Sequence, residues 1–239
     1  MSDRPLPTVI LPGYLAADYE YRELASALEQ HGVPTAIVPV KKSTWLPTLG
    51  GRSIVPILRL LHATAIRVRR EFNTEQINLV GHSAGGWISR IYMGEKPYCI
   101  HGDVTPDAGL WNARAYINTL VCLGTPQTSL ERWTKRNLDF VSQNYPGAFY
   151  SNVRYVCIAG KAVFGQRSWK TWLAYNSYTL TCGNGNCWGD GITPISAAHL
   201  EGAENLVFDD VYHSPKPGRL WYGSPEVVDR WANQLKIKN

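Results

Sequence analysis

Short apolar runs alternate with longer stretches of helical period along this chain. Pro7 to Leu11, Pro34 to Val40, Ile77 to Val80, Ile117 to Leu123, Val153 to Ala159 and Glu204 to Phe208 are the apolar runs. Their length suits buried strands better than helices. Between them, Ala16 to Gln30 has helical period and stops at His31-Gly32, a glycine end signal. Arg52 to Phe72 carries Ile54, Val55, Leu58, Leu61, Ala65, Ile66 and Val68. That spread predicts a helix buried on more than one side. A further helix opens at about Ala84, another covers Leu130 to Asn144, and Pro225 to Ile237 reads as a final amphipathic one. Pro47 to Gly51 is a turn. Lys96 to Ala113, with Gly102, Pro106 and Gly109, has no period, and aromatic-rich Phe164 to Tyr178 takes no assignment. Strands alternating with helices predict an α/β fold, a mostly parallel central sheet of about six strands with helices on both faces. No repeat or linker divides the chain, so one domain over residues 1–239 is expected.

Within that pattern one junction carries chemistry. Ile77-Asn78-Leu79-Val80 runs into Gly81-His82-Ser83-Ala84-Gly85-Gly86 and then into Trp87-Ile88-Ser89-Arg90-Ile91-Tyr92-Met93. A serine between a strand end and a helix start is forced into a strained turn that lifts its hydroxyl clear of the sheet. Side chains at Gly81 or Gly85 would crowd the turn. The new helix aims its N-terminal N–H groups at the same spot, favouring negative charge there. Ser83 is therefore a candidate nucleophile. The plainer alternative is a glycine-rich loop with a serine N-cap.

Composition changes the picture little. Net charge is +5, without a block of Lys and Arg that would suggest nucleic acid. Nine Trp and thirteen Tyr against five Phe favour a cleft or wet interface lined with polar-tipped rings. The opening Met1-Ser-Asp-Arg-Pro-Leu-Pro lacks the pattern of a secretion signal, and Arg59 and His62 break the richest apolar window. A cytoplasmic chain with free thiols is expected, Cys182 and Cys187 lacking two further soft ligands for a metal. No metal and no cofactor is called for.

A serine hydroxyl needs an imidazole to accept its proton, and the imidazole needs a carboxylate to hold its tautomer. Where an elbow carries the serine, the chain order is Ser, acid, His. His213 follows the last strand and is the base, with His199 as rival; His101 comes too early. Asp190, in Trp188-Gly189-Asp190-Gly191, is the acid; Asp209 and Asp210 stand so near His213 that capping its loop suits them better. Two N–H groups should hold the oxyanion: Ala84, after the nucleophile, and Tyr14, where Gly13 allows close approach.

These segments resemble the α/β-hydrolase lipases and esterases. Gly81-His82-Ser83-Ala84-Gly85-Gly86, Leu123-Gly124-Thr125-Pro126, Gly189-Asp190-Gly191 and Tyr212-His213-Ser214-Pro215 carry the resemblance. Together with Trp221-Tyr222-Gly223-Ser224-Pro225 they are most similar to the lipase-like group of cyanobacteria and plant plastids. The resemblance implies a serine ester hydrolase with its triad on Ser83, Asp190 and His213. It also implies a minimal α/β-hydrolase fold without a large cap domain, since the chain begins at the Gly13 strand. Pro12 and Gln127 stand where many lipases have His, which bears on the rim of the site and so on the substrate.

The expected substrate is a medium- to long-chain acyl ester, membrane lipids included. The alternatives are a hydrolase-fold binding protein with little turnover and an acyltransferase. Phe164, Trp169, Trp172, Tyr175 and Tyr178, and Tyr98, Ile100, Leu110 and Trp111 in the irregular stretch, are expected to line an acyl groove or touch a lipid surface. Lys161, Arg167 and Lys170 favour an anionic surface weakly, at about 1 kcal/mol each. The competing expectation is that these aromatics are core.

Overall fold

The structure, a computed structural model, describes residues 5–100 and 111–235. β1 (Thr8–Leu11) leads through a 3-10 turn to α1 (Arg22–Gln30), and β2 (Thr35–Ile37) follows. α2 (Val55–Glu71) feeds β3 (Ile77–His82), which runs directly into α3 (Ala84–Met93). β4 (Ile117–Leu123), α4 (Arg132–Asn144) and β5 (Arg154–Lys161) come next. An excursion then builds β6 (Val163–Phe164), α5 (Trp172–Cys182), β7 (Trp188–Gly189) and α6 (Ile195–Ala198) before β8 (Glu204–Asp209). β9 (Val211–Tyr212), β10 (Leu220–Trp221) and α7 (Pro225–Val228) follow.

Among the described residues the main sheet holds six strands, all parallel, in the order β2-β1-β3-β4-β5-β8. Parallel neighbours need crossover connections, which is where the helices come from. Successive side chains of a strand face opposite ways. Val9 and Leu11 of β1 therefore enter one core with α2, α3 and α4, while Ile10 enters the other with α1 and α7. No helix of the described residues is long and apolar enough to cross a membrane.

Two helices differ from expectation. α2 buries Ile57, Leu58, Leu61, Thr64, Ala65 and Val68, one face only, and leaves Arg59 and Arg67 in solvent. Its apolar spread is wide, but the sheet covers a single side. The expected final helix breaks after Val228: the chain tightens to a 3-10 turn over Ala232–Leu235, and Ile237 lies outside the described residues. Tightening places the Trp231 indole on the Tyr222 carbonyl at 3.2 Å and offers the Leu235 carbonyl to the Asn78 amide at 2.9 Å.

The unassigned stretches also resolve. His101 and Leu110 lie outside the described residues. Tyr98 is core, its hydroxyl taking the Ile54 N–H and donating to Asn137, and Trp111 packs at a tilt on His62 and Tyr92. Tyr178 is fully buried under the β6–β7 ladder, and Tyr175 is half-buried against Arg167. Trp169, Trp172 and Leu173 are exposed. The aromatic stretch thus divides between core and surface.

Candidate active site

The strand order reverses between β1 and β3, because the chain steps outward to β2 and returns on the other side of β1. Ligands in open parallel sheets bind at such a switch, beyond the carboxyl ends of the strands. Leu11 pairs with Gly81 there, so Gly13-Tyr14 and Ser83 leave the sheet side by side. Ser83 has φ 52° and ψ −122°, a conformation that costs on the order of 1–3 kcal/mol. The crowding expected at the elbow is real: a Cβ on Gly81 would stand 2.5 Å from the Gly85 and Gly86 backbone, and one on Gly85 2.3 Å from the Leu11 carbonyl. A Cβ on Gly13 would stand 3.0 Å from the Ser83 Cβ, so this backbone passes directly against the serine. The Gly13 N–H is taken by the Tyr21 hydroxyl at 2.8 Å. The N–H groups of Tyr14 and Ala84 bond to no described residue.

Asp190 and His213 come together although 23 residues separate them. The β6–β7 ladder carries the chain away from β5 and back, pairing Val163 with Gly189, so that Asp190 re-emerges at the end of β5. His213 follows β9 just beyond β8, the neighbour of β5. Asp190 Oδ2 lies 2.7 Å from His213 Nδ1. Its other oxygen accepts the N–H groups of Ile192 at 2.9 Å and Thr193 at 2.7 Å. Gly124, at φ +55°, leaves room for this carboxylate: a Cβ there would stand 2.7 Å from Oδ2. Burial works to raise the Asp190 pKa, but the His213 charge and hydrogen bond and the two N–H donors outweigh it and leave the carboxylate below its ordinary range. The Ser83 side chain makes no capping bond to its own helix.

Two braces hold this pair, and sequence reasoning assigned neither. Tyr222 donates its hydroxyl to Asp190 Oδ2 at 2.7 Å while accepting the Gly160 N–H at 2.8 Å. Burial, then the Asp190 charge, pushes the Tyr222 pKa well up, so it stays a donor. The second brace is His82, the residue before Ser83. Its Nε2 lies 2.8 Å from the His213 carbonyl, an acceptor only, so Nε2 carries the hydrogen. Nδ1 is then an acceptor for the Tyr21 hydroxyl at 2.6 Å, and Tyr21 in turn accepts from Gly13. One neutral imidazole thereby ties the loop after β1 to the loop of His213. Burial drops its pKa to about 3. The signals were present, His82 within the elbow and Tyr222 within Trp221-Tyr222-Gly223, but nothing local announced their partners.

The rivals stand elsewhere. Asp209 pairs with Lys161 at 3.2 Å, and Asp210, at φ 60°, donates its N–H to the Lys161 carbonyl. His199 has its Nε2 buried without a partner among the described residues. Gln127, expected at the rim, is buried and accepts from the Arg90 guanidinium at 2.6 Å. That guanidinium also donates to the carbonyls of Tyr145 and Gly147, so Gln127 serves the core beneath the site. Cys182 and Cys187 are free thiols, both donating to the Asn184 carbonyl.

Two hollows flank the site. One of about 200 Å³ is walled by Tyr14, Thr48, Ile54, Trp87, Trp133 and Asn137; Glu131, at its edge, is occupied by the Trp133 and Thr134 N–H groups. The other, about 220 Å³, lies against Asp190 and His213 under Leu173 and Ile192. A wider, open depression along α2, beside His62 and Arg70, holds none of these residues.

This architecture and the elbow at the switch point are those of the α/β-hydrolase fold. Among solved structures, the chain is similar to a Lactobacillus plantarum protein over 100% of its own length and 95% of the other's, at TM-score 0.55 and 11% identity. An alpha-beta serine hydrolase homologue from Coxiella burnetii covers 96% and 83%, at TM-score 0.52 and 12% identity. The 2-hydroxy-6-oxo-6-phenylhexa-2,4-dienoate hydrolase of a Rhodococcus covers 96% and 90%, at TM-score 0.51 and 11% identity. No family model and no curated protein matches the sequence. At these identities the likeness concerns the fold, and the resemblance to the cyanobacterial and plastid group rests on the quoted segments alone.

Proposed function

We propose that this chain is a serine carboxylic ester hydrolase acting on medium- to long-chain acyl esters. The observation that carries the reading is the buried Asp190–His213 pair, 2.7 Å apart, together with a serine held in a strained elbow whose neighbour His82 bonds the His213 carbonyl at 2.8 Å. Ser83 Oγ attacks the acyl carbon as His213 takes its proton. The oxyanion forms against the free N–H groups of Tyr14 and Ala84. Losing one such donor typically costs about 3–4 kcal/mol of barrier. The intermediate collapses, the alcohol leaves with the proton from His213, and water activated by the same imidazole releases the acid. The enclosed hollow beside Tyr14, with Ile54, Trp87 and Trp133 in its wall, suits the acyl chain. Trp169, Trp172 and Leu173, exposed on and before α5, suit contact with a lipid surface.

A fluorophosphonate should label the wild type on Ser83 and leave Ser83→Ala unlabelled. Equal labelling of the variant, or an unlabelled wild type, would remove the nucleophile and the proposal with it.

A further inference from the structure

The two hollows differ in charge. The hollow against His213 is edged by Lys170, Lys216 and Arg219. Local chemistry places two of them together. Lys216-Pro217-Gly218-Arg219 is a turn in which the Arg219 N–H bonds to the Lys216 carbonyl at 3.2 Å, with proline second and Gly218 at φ +71° third. The Arg219 guanidinium lies 4.6 Å over the Tyr212 ring, and the Lys170 ammonium 5.4 Å from the Trp169 ring. Such stacking steadies a cation without neutralising it. None of the three forms an ion pair among the described residues, whereas nearby Lys161 is paired with Asp209. Among the described residues Asp190 is the only acid in the wall, and its bonding is spent on His213, Tyr222, Ile192 and Thr193. Glu23, on the other side of the Lys216–Arg219 turn, is held by the Trp221 indole. Three unpaired cations thus face a hollow that touches the imidazole.

Chemistry says which part of an ester goes there. The acyl carbon must lie against the oxyanion donors, and Tyr14, which offers one of them, also walls the other hollow. The alcohol oxygen must lie against His213, which returns its proton. Resting on the ester-hydrolase reading, we propose that the hollow beside His213 receives the alcohol half of the substrate, and that this half bears a phosphate-type oxyanion. An apolar alcohol would strip water from three cations and return nothing. A phosphate or sulfonate matches them, with Arg219 able to bind two of its oxygens.

The test compares two esters with one acyl chain, 1-octanoylglycerol and 1-octanoylglycerol 3-phosphate. Wild-type kcat/KM should favour the phosphate ester by about tenfold at low salt, which is about 1.4 kcal/mol. Because exposed charges are screened, the preference should shrink as ionic strength rises. Lys170→Gln, Lys216→Gln and Arg219→Gln combined should abolish it, and Lys170→Arg with Lys216→Arg should keep it. The readout is a ratio within each variant, so a change in folded fraction cancels. No preference in the wild type, or an undiminished one in the triple variant, overturns the assignment. If neither ester is cleaved, the hydrolase reading fails, and binding of the phosphate ester to Ser83→Ala decides the remainder. Affinity that falls about tenfold with the three cations removed upholds the anion subsite; unchanged affinity overturns it. Inorganic phosphate binding Ser83→Ala as tightly as the phosphate ester would make the hollow a free-anion site, and the substrate assignment would fall.

Discussion

Asp190 shows how much one side chain does here: four donors converge on its two oxygens, and each favours the ionised form. Asp190→Asn keeps the size and most of the packing but presents the wrong hydrogen to His213 Nδ1. Turnover on a p-nitrophenyl ester should drop by about three to four orders of magnitude with KM little changed. A larger loss from Asp209→Asn or His199→Ala would reassign the acid or the base. His82 makes a different prediction, about stability. Its pKa is about 3 in the fold against 6.5 for a free imidazole. Between those values the unfolded chain binds a proton that the folded one refuses. Stability from this group is therefore complete above about pH 6.5 and is lost as pH falls towards 3, by at most about 1.4 kcal/mol per pH unit. The wild-type Tm should fall more steeply than that of His82→Gln between pH 7 and 4. Parallel curves would mean that His82 accepts its proton within the fold.

At the scale of elements, the site depends on segments meeting without side chains between them. The β4 end, Leu123-Gly124-Thr125, supports both flanks: Thr193 Oγ1 donates to the Gly124 carbonyl at 2.9 Å, and the Gly124 backbone leaves space for Asp190 and the Tyr222 ring. Gly124→Ala should therefore do two kinds of damage. The left-handed backbone costs about 1–2 kcal/mol for a residue with a Cβ. The methyl, aimed at a carboxylate 2.7 Å away, would displace the acid from His213. A lowered Tm together with at least a tenfold fall in kcat is the expected pair. A fall in Tm with kcat untouched would show that the carboxylate tolerates the push. The excursion from β6 to β7 brings Asp190, far from β5 in the chain, back beside it: the short ladder returns the chain to the point where β5 ends. Nothing in Phe164 to Tyr178 forecast that return, since buried Tyr178 and exposed Trp169 and Trp172 are alike aromatic and follow no period that separates core from surface.

For the whole molecule, the division into an enclosed apolar hollow and a cationic one sets a substrate prediction. A methylene buried in the hollow beside Tyr14 is worth about 0.8 kcal/mol, so kcat/KM for p-nitrophenyl esters should rise up to about fourfold per carbon. With about 200 Å³ to fill, the rise should level off instead of continuing indefinitely. A series that peaks at acetate and declines beyond butyrate would mean that the chain does not enter this hollow. The alternation of six short apolar runs with helical stretches was legible in the sequence because strand and helix periods are local properties, and so was the elbow, whose glycines answer to their immediate neighbours. The nucleophile, acid and base candidates followed from chain order along that alternation. Only the tertiary structure decided what lies across the sheet ends: His82 on the carbonyl of His213, 131 residues away, Tyr222 on Asp190, Gln127 on Arg90, and three cations at one hollow. Those contacts join segments far apart in the chain, and no periodicity or turn preference encodes which distant group will be met when the sheet closes.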